Sequence, residues 1–160
     1  MLPLPAAFAE APPAAVNRGA LFKVQDASHA ALDTPVGGVT AIMQQSHSYN
    51  PKHGITGVLC HSDRLYLQVL EGGREQVNTL YAKILRDPRH TGAVLLHYEE
   101  ICERKYSGWT MGQVNLNKLN PGTLLRYSAL PEFNPHTLSG KSSLALIDEL
   151  MAAASVLGRV

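Results

Sequence analysis

The residues of this chain best suited to chemistry are polar groups at the ends of apolar segments or inside them: Asn50, Gln68, Asp87, Arg89 and His90. Asn and Gln side chains each carry donors and acceptors on one planar group, which matches the edge of a heteroaromatic ring. Gln68 lies between Leu67 and Val69 in an apolar run, so its amide needs partners if it is buried. Arg89 and His90 follow an amphipathic segment, where they could meet a carbonyl or a polar ligand tail. Each also has a plainer reading. Asn50 precedes Pro51 and suits a helix stop, and cations are favourable near any helix C-terminus. Gln68 could lie at the surface, and stripe residues such as Ile42 and Ile84 are core by default.

Enzyme signatures are missing from this set. The chain contains no nucleophile elbow, phosphate-cradling glycine loop or zinc-protease helix motif, and its seven histidines are scattered without metal spacing. The expectation is a non-enzymatic, metal-free binding or regulatory protein.

Several elements must position these groups. Residues 20–25 read as a strand, and 26–37 as a loop punctuated by Pro35 and Gly37-Gly38. Val39, Ile42, Met43 and Ser46 recur at helical spacing, predicting a helix over about 38–49 that stops at Asn50-Pro51. Residues 55–60 and 65–70 read as two strands of a hairpin, with Tyr66, Gln68 and Leu70 sharing one face. Glu71-Gly72-Gly73 is expected to break the second strand. Val77, Leu80, Tyr81 and Ile84 mark an amphipathic helix over about 74–86, ended by Asp87-Pro88. Residues 93–97 and 109–114 read as further strands. The order βαββαββ predicts an α+β, ferredoxin-like sheet with two helices on one face. Beyond residue 115, a short helix over 123–128 and an amphipathic one carrying Leu144, Ile147, Leu150, Met151, Ala154 and Leu157 predict C-terminal capping helices.

Composition is consistent with one globular domain. The 160 residues are 45% hydrophobic and 17% charged, with a net charge of +1. That balance carries no electrostatic footprint for nucleic acid, and no apolar run is long enough for a membrane span. Residues 1–18 read as a disordered Pro/Ala leader without the features of a signal peptide. Cys60 and Cys102 are expected to be buried free thiols in a cytoplasmic protein.

Four motifs in order carry a resemblance: Gly54-Ile55-Thr56-Gly57-Val58-Leu59, Tyr66-Leu67-Gln68-Val69-Leu70-Glu71-Gly72, Asp87-Pro88-Arg89-His90 and Trp109-Thr110-Met111. Over residues 19–115 the chain resembles the BLUF family, blue-light sensors that hold FAD, and residues 116–160 resemble the helical cap of its short stand-alone members. The resemblance implies FAD, or FMN or riboflavin in its place, between the two helices. Ile42 and Ile84 would flank the ring, and Asn50 would bond its pyrimidine edge. Gln68 would be the switching glutamine, with Asp87, Arg89 and His90 fixing the ring and ribityl chain. Trp109 and Met111 would sit on the fifth strand and relay the state of Gln68.

One departure accompanies these matches. The family's photocycle uses a tyrosine on the first strand as donor to the excited flavin, and this chain has no tyrosine before Tyr49. Two registers place either Phe22 or Lys23 at that position. Phe22 keeps one face apolar with Ala20 and Val24, whereas a buried unpaired Lys23 would be costly. Either way the expectation is a flavin-binding sensor with an impaired tyrosine/glutamine photocycle, acting as a homo-oligomer through a separate protein partner. The alternative is a flavin-free interaction module of the same fold. An RNA-recognition module would need a basic, aromatic strand run that is missing here.

Overall fold

The computed structural model describes residues 20–31 and 38–152. The expected leader, and Ala154 and Leu157 of the last predicted helix, lie outside the described residues. The elements are β1 (Leu21–Ala30), α1 (Gly38–Lys52), β2 (Thr56–His61), β3 (Leu65–Gly73), α2 (Arg74–Arg86), β4 (His90–Ile101) and β5 (Gly112–Asn115). A 3-10 turn (Leu116–Lys118), α3 (Pro121–Leu125) and α4 (Gly140–Ala152) follow. The five strands form one sheet in the order β4-β1-β3-β2-β5. All pairs are antiparallel except β2 with β5. This is the α+β, ferredoxin-like arrangement, extended by β5 at one edge.

The central strands are buried on both faces, so their sequences need not alternate in polarity. One face, built around Ile55, Leu59, Tyr66 and Leu70, takes Ile42 and Met43 of α1, with Leu80 and Ile84 of α2 packed against the same cluster. The other face, around Ala27, Val58, Cys60, Leu67 and Val69, is covered by Leu146, Ile147 and Leu150 of α4. Gly57 shows how closely the strands fit: a Cβ there would lie 2.1 Å from the Val69 carbonyl oxygen.

Several predicted bounds move. β1 continues five residues beyond Gln25, because Asp26 and Ser28, which read as loop formers, are held in the ladder by β3 and β4. Glu71-Gly72-Gly73 does not break β3 but pairs with Lys23, Phe22 and Leu21. α1 runs through Pro51. The Asn50 carbonyl accepts from the amides of His53 (3.1 Å) and Ile55 (2.9 Å), and Gly54 at φ +65° turns the chain out. Cys60 is buried as expected, but Cys102 lies exposed just after β4 ends, so that expectation is corrected. No helix among the described residues is long and apolar enough to cross a membrane.

Glu71 fastens the chain after β4 to the sheet. It has no solvent exposure, and its two carboxylate oxygens accept from the backbone amides of Lys105 and Tyr106, each at 2.9 Å. The Tyr106 hydroxyl in turn donates to Asp148 of α4 at 2.6 Å.

Candidate functional site

A cleft opens between α1 and α2 above β3. It holds about 610 Å³ of atom-free space, counting its mouth open to solvent. The helix stripes bring Ile42 and Ile84 to it, β3 brings Gln68, and the segment before β5 brings Met111. Asn50 arrives at the end of α1, while Asp87, Arg89 and His90 arrive from the turn between α2 and β4. Every residue expected to bind the cofactor therefore lines one space.

Its polar groups are held in place. Asn50 is 1% exposed and donates its amide to the Thr110 carbonyl at 2.9 Å, which leaves its side-chain oxygen to accept. Arg89 grips Asp87 through Nε, 3.0 Å from both carboxylate oxygens, and through Nη2 at 2.5 Å, and it reaches Gln45 of α1 at 2.6 Å. The hydrogen bond from Arg89 keeps the Asp87 carboxyl below its usual range and raises the guanidinium. His90 shares a 3.2 Å hydrogen bond with Ser28 and meets the Tyr66 ring edge-on. Burial lowers its pKa, so the neutral imidazole prevails at neutral pH. Lys83 sits 4.7 Å over the Tyr49 ring and links α2 to α1. The arrangement has apolar walls, amides at its floor and one end, and a charged pair with a histidine at the other end. Such a site suits a planar, heteroatom-edged ring bearing a polar tail. No group of three or more metal-ligating side chains occurs among the described residues.

Comparison with known proteins bears on this geometry. Residues 21–112, more than half of the chain, match the family model described as BLUF, sensors of blue-light using FAD. The chain belongs to the BLUF family. A photoactivated adenylate cyclase subunit beta of Euglena gracilis is 40% identical over 74 residues, covering 46% of this chain and 9% of that protein. The blue light- and temperature-regulated antirepressor BluF of Escherichia coli K12 is 35% identical over 79 residues, covering 49% of this chain and 20% of that protein. The chain thus matches only a small share of these relatives' length. Among solved structures, the photo-activated state of BlsA superposes with a TM-score of 0.75 at 28% identity, covering 83% of this chain and 96% of that one. The dark state of BlrB gives 0.70 at 28%, covering 85% and 98%.

Within this BLUF fold, the two candidates for the missing tyrosine do not stand beside Gln68. Phe22 lies on the cleft face but pairs with Gly72, near the far end of β3, and stacks on Tyr98 with ring centroids 5.2 Å apart. Lys23 points to the opposite face. Its ammonium lies 5.5 Å from the centre of the Tyr106 ring, and its cross-strand neighbours are Glu71 and Glu99. Burying it therefore brings no ammonium against a ring in the cleft. The residue directly opposite Gln68 is Asp26. Sequence reasoning missed it because Asp and Ser in 26–28 suggested a loop. The available signal was the period-two series Phe22, Val24, Asp26, Ser28, which continues the cleft face of β1.

Trp109 and Met111 both precede β5 and do not lie on it as expected. Met111 is fully buried on the cleft side. Trp109 packs against the cluster on the opposite face and does not line the cleft. They stand on different sides of the sheet because β5 begins only at Gly112.

Proposed function

We infer that this chain is a flavin-binding blue-light sensor domain whose usual tyrosine/glutamine photocycle is impaired, acting as a regulatory module and not as an enzyme. The observation that carries the reading is the convergence of Ile42, Asn50, Gln68, Ile84, Asp87, Arg89 and His90 on one cleft in a BLUF fold. Ile42 and Ile84 would pack on the two faces of the ring, and Asn50 and Gln68 would bond its edge. Asp87, Arg89 and His90 would hold the ring and its ribityl chain. FAD is the flavin named for the family, and FMN or riboflavin would bring the same ring. The bound flavin supplies absorption of blue light.

Impairment follows from the residue opposite Gln68. A carboxyl at Asp26 can accept or donate a proton, but it is a far poorer electron donor than a phenol. Met111, which lines the cleft with Gln68, would sense its side chain directly, whereas Trp109, packed on the opposite face, would respond only indirectly. Homo-oligomerisation and a separate protein partner complete the reading. They are supported by Val94, Leu95 and Tyr98, which stand exposed on the edge strand β4.

The deciding experiment is an absorption spectrum of the full chain purified with FAD, dark and then under blue light. The expected outcome is a yellow protein without the family's long-lived red shift. A normal red shift refutes the impairment, and a colourless protein that takes up no FAD in titration leaves the flavin-free interaction module.

A further inference from the structure

Asp26 is 2% exposed, and its Oδ1 is buried without a hydrogen-bond partner among the described residues. An orphaned buried carboxyl oxygen is costly and calls for an explanation. Directly across the ladder stands Gln68, at a spacing where facing Cβ atoms lie about 4.5–5.5 Å apart. Gln68 is 6% exposed and forms part of the cleft floor. A carboxyl and an amide at this separation are within reach of each other by small side-chain rotations.

We propose that Asp26 is the positioning residue for Gln68, its carboxyl deciding which end of the Gln68 amide faces the ring edge in the cleft. The chemistry follows from donors and acceptors. An ionised Asp26 is acceptor-only, so it takes the Gln68 Nε2 hydrogens and turns Oε1 to the ring. A protonated Asp26 donates its hydroxyl to Oε1, which leaves the Nε2 hydrogens for acceptors on the ring. The proton comes from solvent water and returns to it, and no redox step is involved. Protonation of one buried carboxyl thus does what rearrangement of a glutamine does in a light-driven switch.

The surroundings favour such a transition near neutrality. From β3 the carboxyl faces Gln68, with Tyr66 two residues along. From β4 it faces Leu95, with His90 reached only through Ser28. From α2 its electrostatic neighbour is Tyr81, whose phenol is raised first by burial and then by the Asp26 charge. Of the cations lining the cleft, Lys83 is exposed on α2 and Arg89 is engaged by Asp87. Among the described residues no cation offsets the burial, which pushes the Asp26 carboxyl up to about 7.

The spectroscopic consequence rests on the flavin reading, but the Asp26–Gln68 pair does not. The test follows the Gln68 side-chain amide by NMR in the 15N-labelled full chain without FAD, from pH 5 to pH 9. The signal is assigned by its loss in Gln68→Leu. The expected result is a shift with a midpoint near 7 that disappears in Asp26→Asn and returns, displaced, in Asp26→Glu. With FAD added, the blue absorption band should move reversibly in the dark over the same range, and not in Asp26→Asn. A Gln68 signal with no inflection, or one that survives in Asp26→Asn, overturns the proposal. So does bound FAD with a pH-invariant band. A titrating Gln68 amide in a chain that takes up no FAD sustains the pair and defeats the flavin reading.

Discussion

Replacing Asp26 with Asn should stabilise the protein, and by more as the pH rises. Unfolded, this carboxyl titrates at 3.8; folded, burial pushes it up to about 7. The folded state therefore holds a proton that the unfolded state releases, so the wild type loses stability as pH rises from the lower value through the upper one. At about 1.4 kcal/mol for each pKa unit, the loss is about 1–2 kcal/mol by pH 5 and levels off near 4 kcal/mol above pH 8. Between pH 5 and pH 9 the advantage of Asp26→Asn should therefore grow by about 3 kcal/mol, or about 6–12 °C in Tm for a chain of this size. Urea unfolding of both full-length proteins without FAD, at unit pH intervals, measures this directly. His61 and His90, whose pKa values are lowered by burial, stabilise in the opposite direction as the pH rises toward neutrality. Both proteins share them, so they cancel in the difference. A difference that stays flat from pH 5 to pH 9 would refute the buried, uncompensated carboxyl and the reasoning built on it.

Asp26→Tyr should create or strengthen a light-induced red shift in the FAD-loaded protein, whereas Phe22→Tyr and Lys23→Tyr should not, as dark and lit spectra will show. Glu71→Ala strands the buried amide of Tyr106 and the half-buried one of Lys105, and should cost about 1–3 kcal/mol or more in denaturant unfolding. Gly57→Ala drives a methyl group against the Val69 carbonyl oxygen and should cost about 1–3 kcal/mol or more, read as a lower urea midpoint.

Much of the site was legible because its residues sit where local patterns place them. Ile42 and Ile84 belong to helical stripes, Gln68 to an alternating strand, and Asn50 and His90 to the ends of elements. These features depend on spacing along the chain, and the helix over 74–86 was found with those bounds. The extent of β1 was not legible. Asp26 and Ser28 have poor strand propensity, and they are held only because β3 and β4 pair with them on both sides. β5 was misjudged for a similar reason. Trp109 has strong strand preference, yet the parallel ladder with β2 begins at Gly112. Cys102 was misplaced because its apolar neighbour Ile101 ends β4, and the chain bends outward just beyond.

By itself the sequence determined the order of elements, the family and the group of side chains that meet in the cleft, since motif order and hydrophobic period are one-dimensional properties. Only the tertiary structure decided which first-strand residue confronts Gln68. A strand presents alternate residues to opposite faces, and which of them stands across from a given partner depends on the register of pairing, which no local pattern contains. That register turns Lys23 away toward Tyr106 and sets the Asp26 carboxyl opposite the amide it is proposed to steer.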